Sequence, residues 1–105
     1  MPVRSDKTDA LKHDYRRGEI IWVLKQDSPH DVTARELQLA LRDRNIPLAA
    51  RDLHMYLSYL EEAGYIRCKR QYDESIARDQ ILTAALSAKG MLLFDQKIND
   101  AGVRF

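Results

Sequence analysis

The sequence predicts a mainly α fold with a small β-hairpin: a three-helix core, a projecting ribbon and a closing helix. Three observations predict it. Three stretches carry apolar residues at helical spacing. Only a few residues separate the second stretch from the third. A partly alternating run of apolar and basic residues, "YIRCKRQY", follows a glycine just after the third.

The first helix spans about Asp9 to Gln26, with Leu11, Tyr15, Gly18 and Trp22 at 4, 3, 4 spacing. Ile20, Ile21, Val23 and Leu24 make its second half apolar nearly all round, as in a helix clamped between other elements. Gly18 weakens its middle and moves the expected start toward Asp14. "DSPHD" is a loop. Thr33 then caps a second helix, with Glu36 three residues on to complete a capping box. Leu37, Ala40 and Leu41 form its apolar stripe, and Asn45 and Pro47 end it.

The third helix runs from about Ala49 to Ala63, with Leu53, Tyr56, Leu57 and Leu60 inward and Gly64 as its left-handed stop. Strands are expected over 65–72 and 80–86, joined by a loop of about 7 residues. Ser87 caps a fourth helix reaching Ile98. Residues 1–8 read as a flexible start, 9–98 as the folded domain and 99–105 as a tail.

The 105 residues suit one domain with a modest core. No apolar run approaches the roughly 20 residues that span a membrane, and the first residues lack the apolar segment of a secretory signal. A single cysteine, Cys68, forms no internal disulfide, so a cytoplasmic setting is expected. His13, His30 and His54 fall on separate elements, and no nucleophilic triad, phosphate-cradling glycine loop or HExxH motif is present. No enzymatic activity, cofactor or metal is expected.

A second and third helix joined by a short turn have helix-turn-helix geometry, and the hairpin stands where a wing would. "TARELQLAL", "LAARDLHMYLSYLEEAGYI" and "LTAALSAKGMLLF" together resemble a winged helix-turn-helix domain of the ArsR/MarR-like type. The small size and the ending "DAGV" are similar to winged-helix proteins of Mu-like phages and prophages. The likeness covers about residues 14–98. It implies sequence-specific binding of double-stranded DNA by a small transcriptional regulator. The recognition helix, about 49–63, would enter the major groove, and the wing, about 65–86, would follow the backbone. Metal sensing in the ArsR group relies on Cys and His clusters, which this chain lacks.

On that reading Ala50, Arg51, His54 and Ser58 face DNA from the third helix, and Arg51 can read guanine through two hydrogen bonds. Arg67, Lys69, Arg70 and Arg78 offer phosphate contacts from the wing, and Thr33 another at the second helix's start. The resemblance also implies a homodimer, for which Ile20, Trp22, Val23, Leu93, Phe94 and Ile98 are candidates; Trp22 can equally fill the core. Against DNA stands the charge. The net charge is +1, and seven basic side chains across residues 42–79 meet seven acidic ones. The alternative is a winged helix that binds another protein in a phage or nucleoprotein assembly, without DNA specificity of its own.

Overall fold

The computed structural model describes residues 6–105, with side chains from Asp9 onward. The expected looseness of residues 1–8 therefore lies outside the described residues up to residue 5, while the backbone from Asp6 is already helical.

Helix α1, Asp6–Asp27, runs unbroken through Gly18. A Cβ at Gly18 would stand 1.8 Å from the carbonyl oxygen of Arg104. The glycine is therefore no weak point from which the helix must start late. It makes room for the C-terminal backbone to cross α1. Beyond it Ile20, Ile21, Val23 and Leu24 are all buried, so this half is clamped on several sides as its composition implies.

Strand β1, Val32–Thr33, precedes α2, Ala34–Asp43. Two residues have no readable period, and β1 was not expected. Thr33 caps α2: its hydroxyl accepts the Glu36 N–H at 3.0 Å and donates to the Glu36 carboxylate at 2.8 Å. Glu36 thus returns to the hydroxyl rather than to a backbone amide. Leu37 and Leu41 are buried. Asn45, at φ 67°, ends the helix as its left-handed residue. Its N–H donates to Arg42 O at 3.0 Å, and the Ile46 N–H donates to Leu41 O at 2.8 Å.

Helix α3, Ala50–Glu62, buries Leu53, Tyr56, Leu57 and Leu60 as expected. Gly64, at φ +87°, repeats the same stop, with Gly64 N–H to Glu61 O and Tyr65 N–H to Leu60 O, both at 2.9 Å. Gln38 of α2 donates to Leu48 O at 2.8 Å and so fixes the turn between the two helices.

Strands β2, Ile66–Asp73, and β3, Arg78–Leu86, pair antiparallel, and β1 joins the free edge of β3 in the order β1-β3-β2. Lys69 faces Thr83 but Arg70 faces Ile81, so Leu82 is an extra residue on β3. This bulge explains why Ala84 and Ile81, three apart, are both buried while Leu82 is exposed. The turn between β2 and β3 is tighter than expected, residues 74–77, with Asp73 accepting the Ser75 N–H at 2.9 Å.

Helix α4, Ala88–Phe94, is capped by Ser87, which accepts the Gly90 N–H at 3.1 Å. It stops short of Ile98 because Gln96 turns left-handed at φ 60°, with Gln96 N–H to Leu93 O at 3.0 Å and Lys97 N–H to Leu92 O at 2.9 Å. The last residues then fold back. Val103 is buried, the Arg104 N–H donates to Asp14 O at 3.0 Å, and Phe105 meets Phe94 edge-on with centroids 5.9 Å apart.

Candidate nucleic-acid interface

With Leu53, Tyr56, Leu57 and Leu60 committed to the core, the helical period leaves Arg51, His54 and Ser58 on the outer stripe of α3. Arg51 is exposed, as is Ala50; His54 and Ser58 are half-buried. Between the start of α2, the first turns of α3 and the wing lies a cleft of about 630 Å³. Its floor is apolar, from Leu53, Leu57 and Ile81. Its rim carries Arg35, Gln38, Ala50, Arg51 and His54 from the helices and Arg78 and Gln80 from β3. Asp79 also lines it, so three arginines meet one carboxylate here, in a chain whose overall balance is only +1. Among the described residues the side chains of Arg51 and Arg78 have no hydrogen-bond or ion-pair partner, and that of Arg35 only a 3.5 Å approach to Gln38 Oε1. The guanidinium donors of these three side chains are thus largely left to solvent.

Sequence reasoning brought Arg51, His54 and Arg78 to this face but missed Arg35, Gln38 and Gln80. Arg35 and Gln38 are three apart in "TARELQ", on the outer side of α2. That spacing was the available signal. Gln80 had none, because residues 78–80 are exposed on both faces of the strand.

The other wing cations stand elsewhere. Arg67, opposite Ala85 at the base of the wing, is exposed and has no ion pair among the described residues. Lys69 Nζ meets Asp31 Oδ2 at 2.7 Å on the outside of the sheet. The hydrogen bond from Lys69 holds the Asp31 carboxyl below its ordinary range. Arg70 is bonded to Glu61 through two of its nitrogens, Nε lying 3.1 Å from Oε1. It braces the wing against the end of α3, and its guanidinium is occupied. The Thr33 hydroxyl is likewise occupied by the Glu36 cap, with a carboxylate beside it. The wing cations do not form one continuous flank: Arg78 reaches the cleft, Lys69 and Arg70 are paired away from it, and Arg67 stands apart from both.

The fold is shared with solved structures. The chain is similar to a PadR-family transcriptional regulator from Eggerthella lenta DSM 2243, at 19% sequence identity and a TM-score of 0.57. That match covers 87% of this chain and 77% of the other. It is also similar to a candidate transcriptional regulator from Thermoplasma acidophilum, at 14% identity and a TM-score of 0.59, over 77% of this chain and 76% of that one. The fold is a winged helix-turn-helix. No protein-family model matches the sequence, and no curated protein does. No described helix is long and apolar enough to cross a membrane.

Within this winged helix the candidate dimer residues divide. Ile20, Val23 and Leu93 are buried in the protomer's own core. Phe94 and Ile98 are half-buried against that core. Trp22 is 36% exposed, but the Arg44 guanidinium lies 3.8 Å over its ring and is bonded to Glu19 at 2.5 Å. The exposed large apolar side chains of α1 are Leu11, Tyr15 and Trp22, in the row read from the sequence, while Gly18 in the same row lies under the C-terminal backbone.

Cys68 is half-buried, and burial, reinforced by the Glu61 charge, pushes its thiol up to about 12. It therefore stays a protonated packing group. His13 is hydrogen-bonded to the buried Tyr56 hydroxyl, which also accepts from Arg16 at 3.1 Å. Among the described residues no group of three or more His, Cys, Asp or Glu side chains is arranged to hold a metal ion.

Proposed function

We propose that the protein binds double-stranded DNA sequence-specifically, as a small transcriptional regulator, with α3 in the major groove and the wing against the backbone. One observation carries this reading. The arginines on the rim of the cleft between α3 and the wing lack ion-pair partners among the described residues, while Arg44 and Arg70, away from it, are paired. Arg51, near the N-terminal end of α3, is placed to read a base edge, as the recognition helix of this architecture does. Arg35 and Arg78 flank it and supply phosphate contacts, which set position without reading sequence. Arg67 is available as a further contact; Thr33, Lys69 and Arg70 contribute less because each has a partner. The transcriptional roles stated for the two structural relatives support the reading. Kinship with ArsR/MarR-like regulators, a phage origin and a cytoplasmic location belong to the same reading and rest on the sequence. A homodimer through the exposed α1 side chains Leu11, Tyr15 and Trp22 would present two recognition helices to a two-fold site.

Fluorescence anisotropy on labelled duplex, between low and moderate salt, tests it. Binding should weaken steeply with salt, and Arg51→Ala should weaken it further. A second reading draws on the apolar floor of the cleft and the near-zero net charge: the cleft would then seat a peptide segment of a protein partner. Absence of duplex binding, with a partner recovered and mapped to the cleft, selects that reading.

A further inference from the structure

We infer that Asp100 is a positioning residue for DNA recognition, setting through Tyr65 the angle at which α3 passes into the wing. This rests on the DNA-binding reading above and deepens it. Tyr65 is buried and directly follows Gly64, the residue at which α3 stops. Its hydroxyl donates to Asp100 Oδ2 at 2.6 Å. The carboxylate is itself held: Oδ1 accepts the Gly102 N–H at 2.7 Å, and the Asp100 carbonyl accepts the Val103 N–H at 3.1 Å. Gly102 is held in turn, since its carbonyl accepts from Arg17 at 2.9 Å. Arg17 lies 3.9 Å over the ring of Tyr59, on the side of α3 away from the cleft. A Cβ on Gly102 would come within 2.2 Å of the Tyr59 hydroxyl, so this turn lies against the Tyr59 side chain. The C-terminal segment thus touches α3 at Tyr59 and the helix–wing junction at Tyr65.

The junction has other holds: the Ser87 N–H donates to Tyr65 O at 2.9 Å, and Lys89 Nζ lies 5.1 Å from the centre of the Tyr65 ring. Ser87 and Lys89, at the start of α4, take the carbonyls of Gly64 and Ala63 at 2.6 and 2.8 Å. Arg70 ties β2 to Glu61. Without Asp100 the ring of Tyr65 would keep its packing, and its backbone its bond to Ser87, but its hydroxyl would lose its partner. Arg51 lies fourteen residues before Tyr65, a lever of about 20 Å at the helical rise. A tilt of a few degrees at the junction moves Arg51 by more than the ~0.5 Å that a two-bond base contact tolerates. Phosphate contacts, made by flexible side chains to a repeating backbone, tolerate that motion.

The test therefore separates specific from non-specific binding. A preferred duplex is selected from a random library with the wild-type protein. Affinities for it and for an unrelated duplex are then measured for Tyr65→Phe, Asp100→Ala and the double variant, at a temperature where circular dichroism shows each folded. The expected result is a loss of about tenfold in the ratio of the two affinities for each single variant. The double variant should lose no more than either single one, because both remove the same bond. A ratio unchanged in both single variants, with only the melting temperature lowered, overturns the inference and leaves Asp100 a structural residue. Failure of the wild type to select any duplex overturns the DNA-binding reading itself and the inference with it.

Discussion

The cleft face and the face formed by α1 with the C-terminal segment use the same residue type in opposite ways. Behind α3, Arg17 bonds to Asp14 at 3.2 Å and to the Gly102 carbonyl while stacking on Tyr59. Near the other end of α1, Arg44 bonds to Glu19 and stacks on Trp22. Those guanidiniums are consumed in holding elements together. At the cleft Arg35, Arg51 and Arg78 are without ion pairs among the described residues. Net charge counts both groups alike. What marks a surface as ready for a polyanion is the set of cations the fold leaves unpaired, and Arg35, Arg51 and Arg78 bring three of them to one cleft.

This contrast breaks if stability and binding fail to separate between the two faces. Leu60→Ala, on the core side of α3, should cost about 2–5 kcal/mol of stability by chemical denaturation, because a fully buried side chain leaves a cavity. Arg51→Ala, on the outer side of the same helix, should cost about 1–3 kcal/mol of affinity for a preferred duplex. Its denaturation midpoint should match that of the wild type. An Arg51→Ala protein that loses stability instead would place Arg51 in the wrong group.

Thr33→Ala should lower stability by about 1 kcal/mol, the usual worth of a helix cap, and leave duplex affinity nearly intact, since the hydroxyl serves Glu36. Comparable loss of affinity would return Thr33 to the interface. Alkali sharpens the picture of the back face. Burial first, then the bond to Asp100, raises the Tyr65 hydroxyl to about 12. Its folded pKa lies above the ordinary 10, so its contribution is intact below pH 10 and fades as pH rises toward 12. Denaturation midpoints should fall across that window, and Tyr65→Phe should flatten the fall. Asp100 behaves oppositely. Burial alone would raise it, but bonds from Tyr65 and Gly102 outweigh that and hold it below 3.8, so its contribution is lost only as pH falls beneath that value. The smallest effect belongs to Lys69→Ala: its pair with Asp31 is solvent-exposed, so melting should be unchanged.

The readable parts of the fold were those with a local cause. Helical period placed Leu53, Leu57 and Leu60, and Gly64 and Asn45 announced their own left-handed stops. Gln96 makes the same stop without a residue type that advertises it, so α4 read too long. The bulge at Leu82, the two residues of β1 and the seating of the C-terminal segment over Gly18 depend on distant partners and left no local pattern. The site divides similarly. Exposure of Arg51 followed from the helix period. That Glu61 or Glu62 would pair with a wing arginine was legible, and Glu61 does pair with Arg70; which arginine it takes, and the pairing of Lys69 with Asp31, are decided by tertiary structure.

The most direct measurement is the salt dependence of duplex binding for the wild type and for an Arg35→Ala, Arg51→Ala, Arg78→Ala protein. If Arg35 and Arg78 neutralise phosphates while Arg51 reads a base edge, the log–log slope should shrink by about 1.8, roughly 0.9 for each phosphate no longer neutralised, while the fold melts as before. An unchanged slope in a folded triple variant would contradict the account.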